Sequence, residues 1–318
     1  MNESPRKIEI FAPFGAALDL TKLILFQPFD IAKWFVIGFA AFLSNLGGGG
    51  GGGFNFGWPG GDWNWQSKSR DFANTSSDLP GWAWPLIVIG ILLLLAIVIA
   101  LMWVGARGKF VFTDCVVRNR GAIVEPWKAF RRQGNSYFLF SLLAGFIVIV
   151  VLGLAGAPLW LPLLFNGDFP EGAGLVLGLS LLGFVAIVMG AVLSLVVSFM
   201  VPIMYRQLCS AAAAFRQSLA LIGQHLGPVL LYLLFLLVLW MAFALIGCLV
   251  TCLTCCIAAI PYVGTVILLP VYVFFRSYLL LFVRQFGPDY DAWANVVAIE
   301  PPSPAMDPPG AEIPPLQT

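Results

Sequence analysis

Apolar residues along this chain form six long continuous runs, which polar or glycine-rich segments separate. A helix needs roughly 20 mostly apolar residues to cross a bilayer, and these runs lack the alternation of membrane-barrel strands. The sequence therefore predicts an all-α integral membrane protein, in which residues 1–290 form a single domain. Its six predicted transmembrane helices lie at about residues 31–46, 84–106, 137–159, 174–205, 228–257 and 261–282.

The segments that connect the spans on one side are long enough for amphipathic interfacial helices, at residues 8–30, 109–134 and 204–226. Pro28 aligns with Pro126, and Lys33 with Arg131, at a constant offset of 98 residues. The third segment shares only the order of elements, a surface helix followed by two spans. We interpret the chain as three pseudo-repeats, each made of one surface helix and two spans. Chance similarity between apolar segments stays open as the alternative.

Composition restricts the class of protein. Of the 318 residues, 60% are hydrophobic and only 10% are charged, whereas soluble domains have about 25% charged residues. So few charges cannot cover a water-exposed surface, which excludes an ordinary soluble enzyme and a disordered regulator. The net charge of +1 gives no general attraction to nucleic acid, so we expect no nucleic-acid partner.

The positive charges predict the orientation. Of the 17 Lys and Arg residues, 15 fall in segments on one side of the six predicted spans. Loops rich in Lys and Arg remain in the cytoplasm, so both termini are predicted to be cytoplasmic. The first 20 residues contain Glu3, Glu9 and Asp19 and no clean apolar stretch before a cleavage site, so we expect no cleavable signal peptide.

Two segments outside the spans have unusual composition. Residues 47–83 form a predicted outer loop that begins with seven glycines and is rich in Trp. We interpret it as a flexible linker with an interfacial aromatic belt, and an aromatic platform for a ligand is the alternative. Residues 291–318 are rich in Pro and acidic residues, which predicts a disordered cytoplasmic tail. A docking site for a protein partner is the alternative to a plain solvated tail.

Four cysteines recur at helical spacing near the end of the fifth predicted span. They are Cys248, Cys252, Cys255 and Cys256. A thiolate cluster can bind Zn²⁺ or Cu⁺, but no His or carboxylate lies nearby, and small thiols are normal in apolar helices. We therefore predict neither a metal site nor a cofactor, and redox activity of these thiols stays open.

Arg276 lies inside the last apolar run, six residues after Pro270. An ionisable residue at membrane depth is a functional candidate, and no acidic residue occupies the interior of any predicted span. One interpretation places Arg276 at the inner headgroups, where it contacts lipid phosphate. The other interpretation is an anion or lipid-headgroup site. It combines this guanidinium with Arg131, Arg132 or Arg206 from the surface helices.

Small residues form a stripe along the fourth predicted span. The stripe contains Gly183, Gly190, Ser194 and Ser198. Small residues let helix backbones approach closely, so the stripe predicts helix packing, within the chain or between copies of it. Sliding of helices in a transporter is the alternative.

Motifs of enzymes are missing from the sequence. There is one histidine, and no H-E-x-x-H, G-x-S-x-G or Walker motif is present. We therefore expect a protein that is not an enzyme.

Several short motifs resemble a known group of proteins. They are Glu125-Pro126-Trp127-x-x-Phe130, the Phe215–Leu226 segment leading into Pro228, Pro261-x-x-Gly264, Pro270 and Arg276-Ser277-Tyr278. The sequence resembles, over about residues 10–290, the membrane domain that some glycerophosphodiester phosphodiesterases carry ahead of a catalytic barrel. The resemblance implies a prokaryotic inner-membrane protein and supplies no functional residues. No catalytic barrel follows in this sequence, so phosphodiesterase activity is not expected.

Two functions are favoured over a third, a membrane enzyme, which is the least expected. The first is a non-catalytic protein of the inner membrane that interacts with lipid, as a scaffold or in membrane homeostasis. The second is a transporter or channel for a small neutral or anionic solute, with Arg276 near the pathway. Membrane lipids are the expected partners, and a homo-oligomer or a protein bound through the Pro-rich tail is a further expectation.

Overall fold

A computed structural model describes residues 8–46, 83–166, 172–253 and 261–294. These residues form helices and short connections, and no strand occurs among them. The predictions for most of the outer loop, for Cys255 and Cys256, and for the tail after Ala294 lie outside the described residues.

Eleven α-helices and one short 3₁₀ helix follow one another in the described ranges. They are α1 (Phe11–Phe26), α2 (Ile31–Asn45), α3 (Ala83–Val117), α4 (Val124–Ala129), α5 (Arg131–Ala155), α6 (Ala157–Asn166), α7 (Ala173–Gln207), α8 (Ala211–Gln224), α9 (Leu226–Leu253), α10 (Pro261–Ile267), α11 (Leu269–Arg284) and the 3₁₀ helix Pro288–Tyr290.

Four of these helices, α3, α5, α7 and α9, are long and apolar enough to cross a membrane. They correspond to the spans predicted at 84–106, 137–159, 174–205 and 228–257. The all-α fold and these four apolar helices confirm that part of the prediction. Their continuous apolar sequences explain the agreement, because these runs contain no polar stretch at which a helix would end.

The other two predicted spans form shorter helices. The span at 31–46 is α2, which has 15 residues and begins where the Asp30 carboxylate accepts hydrogen bonds from the Ala32 and Lys33 amides. The span at 261–282 is divided at Leu268 into α10 and α11. Pro270 lies in the first turn of α11, where its missing N–H costs no hydrogen bond. The count of six spans therefore stays a prediction.

Each long helix has one buried end and one exposed apolar end. Residues 92–95 of α3 are exposed leucines, whereas residues 110–112 near its other end are buried. The buried ends meet: the Tyr205 hydroxyl of α7 donates to Asp114 of α3 at 2.9 Å. The start of α9 joins α7 through Tyr232, whose ring centroid lies 6.0 Å from that of Phe199. The core thus lies at one end of the helices.

Helix α11 occupies the centre of this core. Thirteen of its 16 residues are buried. Helix α1 packs along it, with the ring centroids of Phe14 and Phe274 5.4 Å apart. The Glu9 amide donates to the Gln285 side-chain oxygen, and the Gln285 side-chain nitrogen donates to the Glu9 carbonyl, both at 2.8 Å. The predicted surface segment 8–30 therefore contains a helix, α1, that packs against α11.

Helix α2 lies between α3 and α10. The Trp34 indole N–H donates to the Val266 carbonyl at 3.1 Å, which joins α2 to α10. On the other side, α2 crosses α3 at Gly108, where the backbone of Leu43 and Ser44 lies so close that a Cβ on Gly108 would clash. Glycine is thus required at this crossing.

Residues 109–134 are long enough for an amphipathic surface helix, but residues 109–117 continue α3. The reason is that the basic residues expected to end the span have partners inside the protein. Only the short α4 follows, and α5 begins at Arg131, before the predicted start of the third span. The sequence pattern could not reveal these partners, because each lies 28 residues further along the chain than the basic residue that it binds.

The start of the predicted tail is packed. Arg284 Nε pairs with the Asp291 carboxylate at 3.0 Å, and Ala292 is buried. The Trp293 ring lies 6.0 Å from the Arg284 guanidinium. The tail predicted from residue 291 therefore begins, at the earliest, after Ala294.

Candidate functional site

A large cavity with a defined polar end lies between α3, α5 and α7 and has a volume of about 550 Å³. This volume lies within the roughly 300–1,000 Å³ range of small-molecule sites. Its walls are mainly apolar and include Met102, Val148 and Leu193. Val98 and Leu101, which also line it, are 45% and 39% exposed. The cavity therefore reaches the apolar lateral surface of the helices.

Lys109 forms the polar end of this large cavity together with Tyr137. Lys109 is only 6% exposed, and its Nζ donates to the Tyr137 hydroxyl at 2.8 Å. Ser141 and Ser194 add two hydroxyl groups to the lining. A long apolar volume with an ammonium group at one end has the polarity of a site for an amphiphile with a negative head.

Arg276 faces a second, small cavity of about 40 Å³ between α2, α3, α7, α9 and α11. Its side chain is 7% exposed, and its guanidinium lies 5.5 Å from the centroid of the Phe112 ring. Within the described residues it has neither a hydrogen bond nor an ion pair. The structure thus places Arg276 in the interior of the helix bundle rather than at a position exposed to lipid headgroups.

Lys109 lies close enough to Arg276 for their charges to repel each other. The sequence predictions for this region named Arg276 but missed Lys109 and Tyr137. The signal for Lys109 was weak, because a lysine that follows an apolar run usually marks the end of a span. Only the three-dimensional arrangement shows that two buried cations lie near the two cavities.

The buried carboxylate at the end of α3 pairs with other groups. Asp114 is 1% exposed and accepts hydrogen bonds from Tyr205 at 2.9 Å and from Arg120 at 3.1 Å. Arg118 pairs with the same carboxylate at 3.1 Å. Arg120 also donates to Glu125 at 2.8 Å, and this bond, followed by that to Asp114, raises the pKa of Arg120. This network ties the end of α3 to α7 and supplies no counter-charge to Arg276.

A further arginine is held between aromatic rings near the large cavity. The Arg107 guanidinium lies 4.2 Å from the Trp103 ring centroid and 5.3 Å from that of Trp127. Its Nε and Nη2 donate to the Asn135 side-chain oxygen at 3.1 and 2.9 Å. Arg131 lies close enough to repel Arg107. The cluster fixes the start of α5 against α3.

The other arginines predicted for the anion site lie elsewhere. Arg131 and Arg132 are exposed at the start of α5, and Arg206 is half-buried near the end of α7. No contact that the structure describes joins any of them to Arg276. Their predicted role with Arg276 therefore stays a prediction, whereas Lys109 is a basic group that does lie near Arg276.

The small-residue stripe of α7 lines both cavities. Gly190 and Ser194 line the large cavity, and Ser198 lines the small one. A Cβ built on Gly183 or Gly190 would have no described atom within 4 Å. Within the described chain, these two glycines border open space, and packing against a second copy stays a prediction.

Of the predicted cysteine cluster, Cys248 and Cys252 belong to the described residues, and both are exposed on α9. No group of three or more His, Cys, Asp or Glu residues that could hold a metal ion occurs among the described residues. The thiol prediction is otherwise untested, since the remaining two members lie outside the described ranges.

These features together define an all-α protein with four apolar helices that could span a membrane, which is the architecture of an integral membrane protein. The chain belongs to a family of unknown function (DUF7544), whose sequence profile matches residues 9–269. No curated protein and no solved structure matches the chain significantly. The resemblance to phosphodiesterase membrane domains stays a prediction.

Proposed function

We propose that this protein is a non-catalytic integral protein of the prokaryotic cytoplasmic membrane that binds an anionic lipid. The observation that carries the proposal is the large apolar cavity that ends at Lys109 and Tyr137. An acyl chain fits the apolar part, and a negative head fits the ammonium end. Because the cavity reaches lipid-facing positions such as Val98, a lipid can enter it sideways.

The proposal includes six spans, with both termini in the cytoplasm. Helix α2 and the pair α10–α11 supply the two additional spans. From 261 to 284 the pair extends over roughly 36 Å at 1.5 Å per residue, enough for a hydrocarbon core of about 30 Å. The three pseudo-repeats belong to the same proposal. The orientation is supported by the position of Arg118, Arg120 and Arg206, which all lie near the buried ends of the helices.

A fusion experiment tests the orientation. Green fluorescent protein joined after Thr318 is expected to fluoresce in cells, because it folds in the cytoplasm, and alkaline phosphatase at the same place is expected to be inactive. An active phosphatase with a dark fluorescent fusion would contradict the proposed orientation.

The alternative function is a transporter or channel for a small neutral or anionic solute. Such a pathway needs a continuous polar cavity that Arg276 lines. In the described part of the chain, Arg276 faces a cavity of only about 40 Å³, and the large cavity has mainly apolar walls. This arrangement favours lipid binding over transport of a polar solute.

Native mass spectrometry of the purified protein tests lipid binding. The wild type is expected to retain an anionic lipid. Gly190→Leu is expected to lose it, because the new side chain extends into the open volume of the large cavity. Gly183→Leu is the matched control, since it lies two turns away on the same face of α7, also borders open space and does not line the cavity.

A second variant tests the polar end of the cavity. Lys109→Met keeps an unbranched side chain that is one atom shorter and removes its charge, so it is expected to release anionic lipid while neutral lipids remain. Equal retention of anionic lipid by the wild type, Gly190→Leu and Lys109→Met would overturn the proposed function. Uptake of a polar solute into proteoliposomes, blocked by Arg276→Met, would support the alternative.

A further inference from the structure

The small cavity next to Arg276 differs from the large one in size and in polarity. Five helices meet around it, and its volume of about 40 Å³ exceeds the roughly 10–15 Å³ that one enclosed water molecule needs. Its lining includes Ser44, Asn45, Ser198 and Tyr232 in addition to Arg276. A cavity of this size has room for a small molecule or ion.

The groups that lack partners around this small cavity are hydrogen-bond donors. Asn45 Nδ2 is buried and has no hydrogen-bond partner within the described chain. Arg276 is nine-tenths buried and likewise has no hydrogen bond or ion pair to any described residue. The Ser44 and Ser198 hydroxyls already donate to the Ala41 and Ser194 carbonyls, at 2.7 and 2.6 Å. The guanidinium and the amide N–H₂ therefore remain available as donors, beside the Tyr232 hydroxyl that also lines the cavity.

The buried positive charge of Arg276 indicates what kind of group occupies the small cavity. An ionised group buried without a partner is strongly unfavourable, and the neighbouring charge of Lys109 adds repulsion. The ion pairs that the structure describes use Asp19, Asp114, Glu125 and Asp291, and none of them involves Arg276. A water molecule would satisfy the donors but would leave the positive charge without compensation.

We infer that the small cavity binds one halide-sized anion, which Arg276 and Asn45 coordinate. Chloride is the anion of this size that is most available to a cell. It accepts hydrogen bonds from both donors and offsets the buried guanidinium charge. Because Asn45 lies at the end of α2 and Arg276 lies on α11, the bound anion joins these helices and stabilises the folded protein.

Thermal unfolding of the purified full-length protein in detergent tests this inference. The wild type is measured in sodium chloride and in sodium gluconate at equal ionic strength, since gluconate is too large for the cavity. The midpoint in chloride is expected to be higher by a few degrees, on the order expected for a ligand that binds only the folded state. Sodium bromide is expected to replace chloride.

Three variants separate a specific site from a general effect of salt. Arg276→Met is expected to remove the difference between chloride and gluconate. Arg132→Met is the matched control, because Arg132 is exposed and does not line the cavity, and it is expected to keep the difference. Asn45→Asp places a carboxylate on the cavity wall, which pairs with Arg276 directly. It is expected to remove the chloride dependence and to raise the midpoint in gluconate towards that of the wild type in chloride.

Asn45→Asp keeps the inference testable if Arg276→Met fails to fold, since the aspartate variant retains the guanidinium. Equal wild-type midpoints in chloride and gluconate would show that chloride does not stabilise the folded protein and would overturn the inference. Chloride dependence that persists in Asn45→Asp would overturn it as well. Neither result bears on lipid retention by the large cavity, because lipid binding is measured with different variants.

Discussion

Gly108 lies where α2 crosses α3, and its replacement by alanine is a strict test of the described packing. A Cβ at this position would lie 2.6 Å from the Leu43 carbonyl carbon and 2.7 Å from the Ser44 nitrogen. Carbon atoms in favourable contact are about 3.5–4.0 Å apart. The neighbouring atoms belong to backbone, so no side-chain rotation relieves the clash, and α2 must move as a whole.

Two opposing effects determine the size of the change. Alanine in place of glycine in a helix interior gains up to about 1 kcal/mol from helix propensity. Overpacking of a close contact costs about 1–3 kcal/mol, and a contact with rigid backbone falls towards the upper end of that range. We therefore expect Gly108→Ala to lower the free energy of unfolding by about 1–2 kcal/mol, which lowers the thermal midpoint by roughly 2–8 °C.

The assay is thermal unfolding of the detergent-purified protein at one heating rate. Gly90→Ala is the matched control, because Gly90 lies in the same helix and a Cβ there would have no described atom within 4 Å. The control is expected to keep or slightly raise the wild-type midpoint. A midpoint of Gly108→Ala equal to or above that of Gly90→Ala would refute the described crossing of α2 and α3.

Three further predictions concern polar contacts outside the cavities. Tyr205→Phe removes the 2.9 Å hydrogen bond to the buried Asp114 carboxylate. It is expected to lower the free energy of unfolding, measured by denaturation, by about 1.5–3 kcal/mol. An unchanged free energy of unfolding would contradict the contact. Asn135→Leu removes the acceptor that Arg107 uses and is expected to lower the thermal midpoint to a similar extent, whereas a neutral result would show that the aromatic rings suffice. Burial raises the pKa of the Cys209 thiol, so less of the reactive thiolate is present at pH 8. A variant that keeps only this cysteine is therefore expected to react with maleimide more slowly than a free peptide cysteine. Equally fast alkylation would contradict its burial.

The long apolar helices were predictable because their signal is local. Sequences such as that of residues 92–95, four consecutive leucines, leave no alternative to an apolar helix, and α3, α5, α7 and α9 follow these runs closely. The ends of the helices were less predictable. Lys109 indicates the end of a span when only its neighbours are considered, but its partner Tyr137 allows α3 to continue.

The cavities and the surroundings of Arg276 could not be predicted from the sequence, because they also depend on contacts between distant residues. The sequence marks Arg276 as an ionisable residue in an apolar run, and both a lipid-exposed and a buried position agree with that pattern. Its burial depends on α1, α2 and α7 packing around α11, which are contacts between distant parts of the chain. The large cavity likewise exists only because small residues such as Gly145 and Gly190 come from different helices.

The central claim, that an anionic lipid occupies the cavity between α3, α5 and α7, is tested most directly by photocrosslinking in membranes. An anionic phospholipid with a diazirine on its acyl chain is activated by light, and the labelled peptides are mapped by mass spectrometry. We predict labels on cavity residues such as Val148 and Leu193, which excess unlabelled anionic lipid displaces and Lys109→Met abolishes. Labels spread evenly over exposed positions such as residues 92–95, without enrichment in the cavity, would contradict the account.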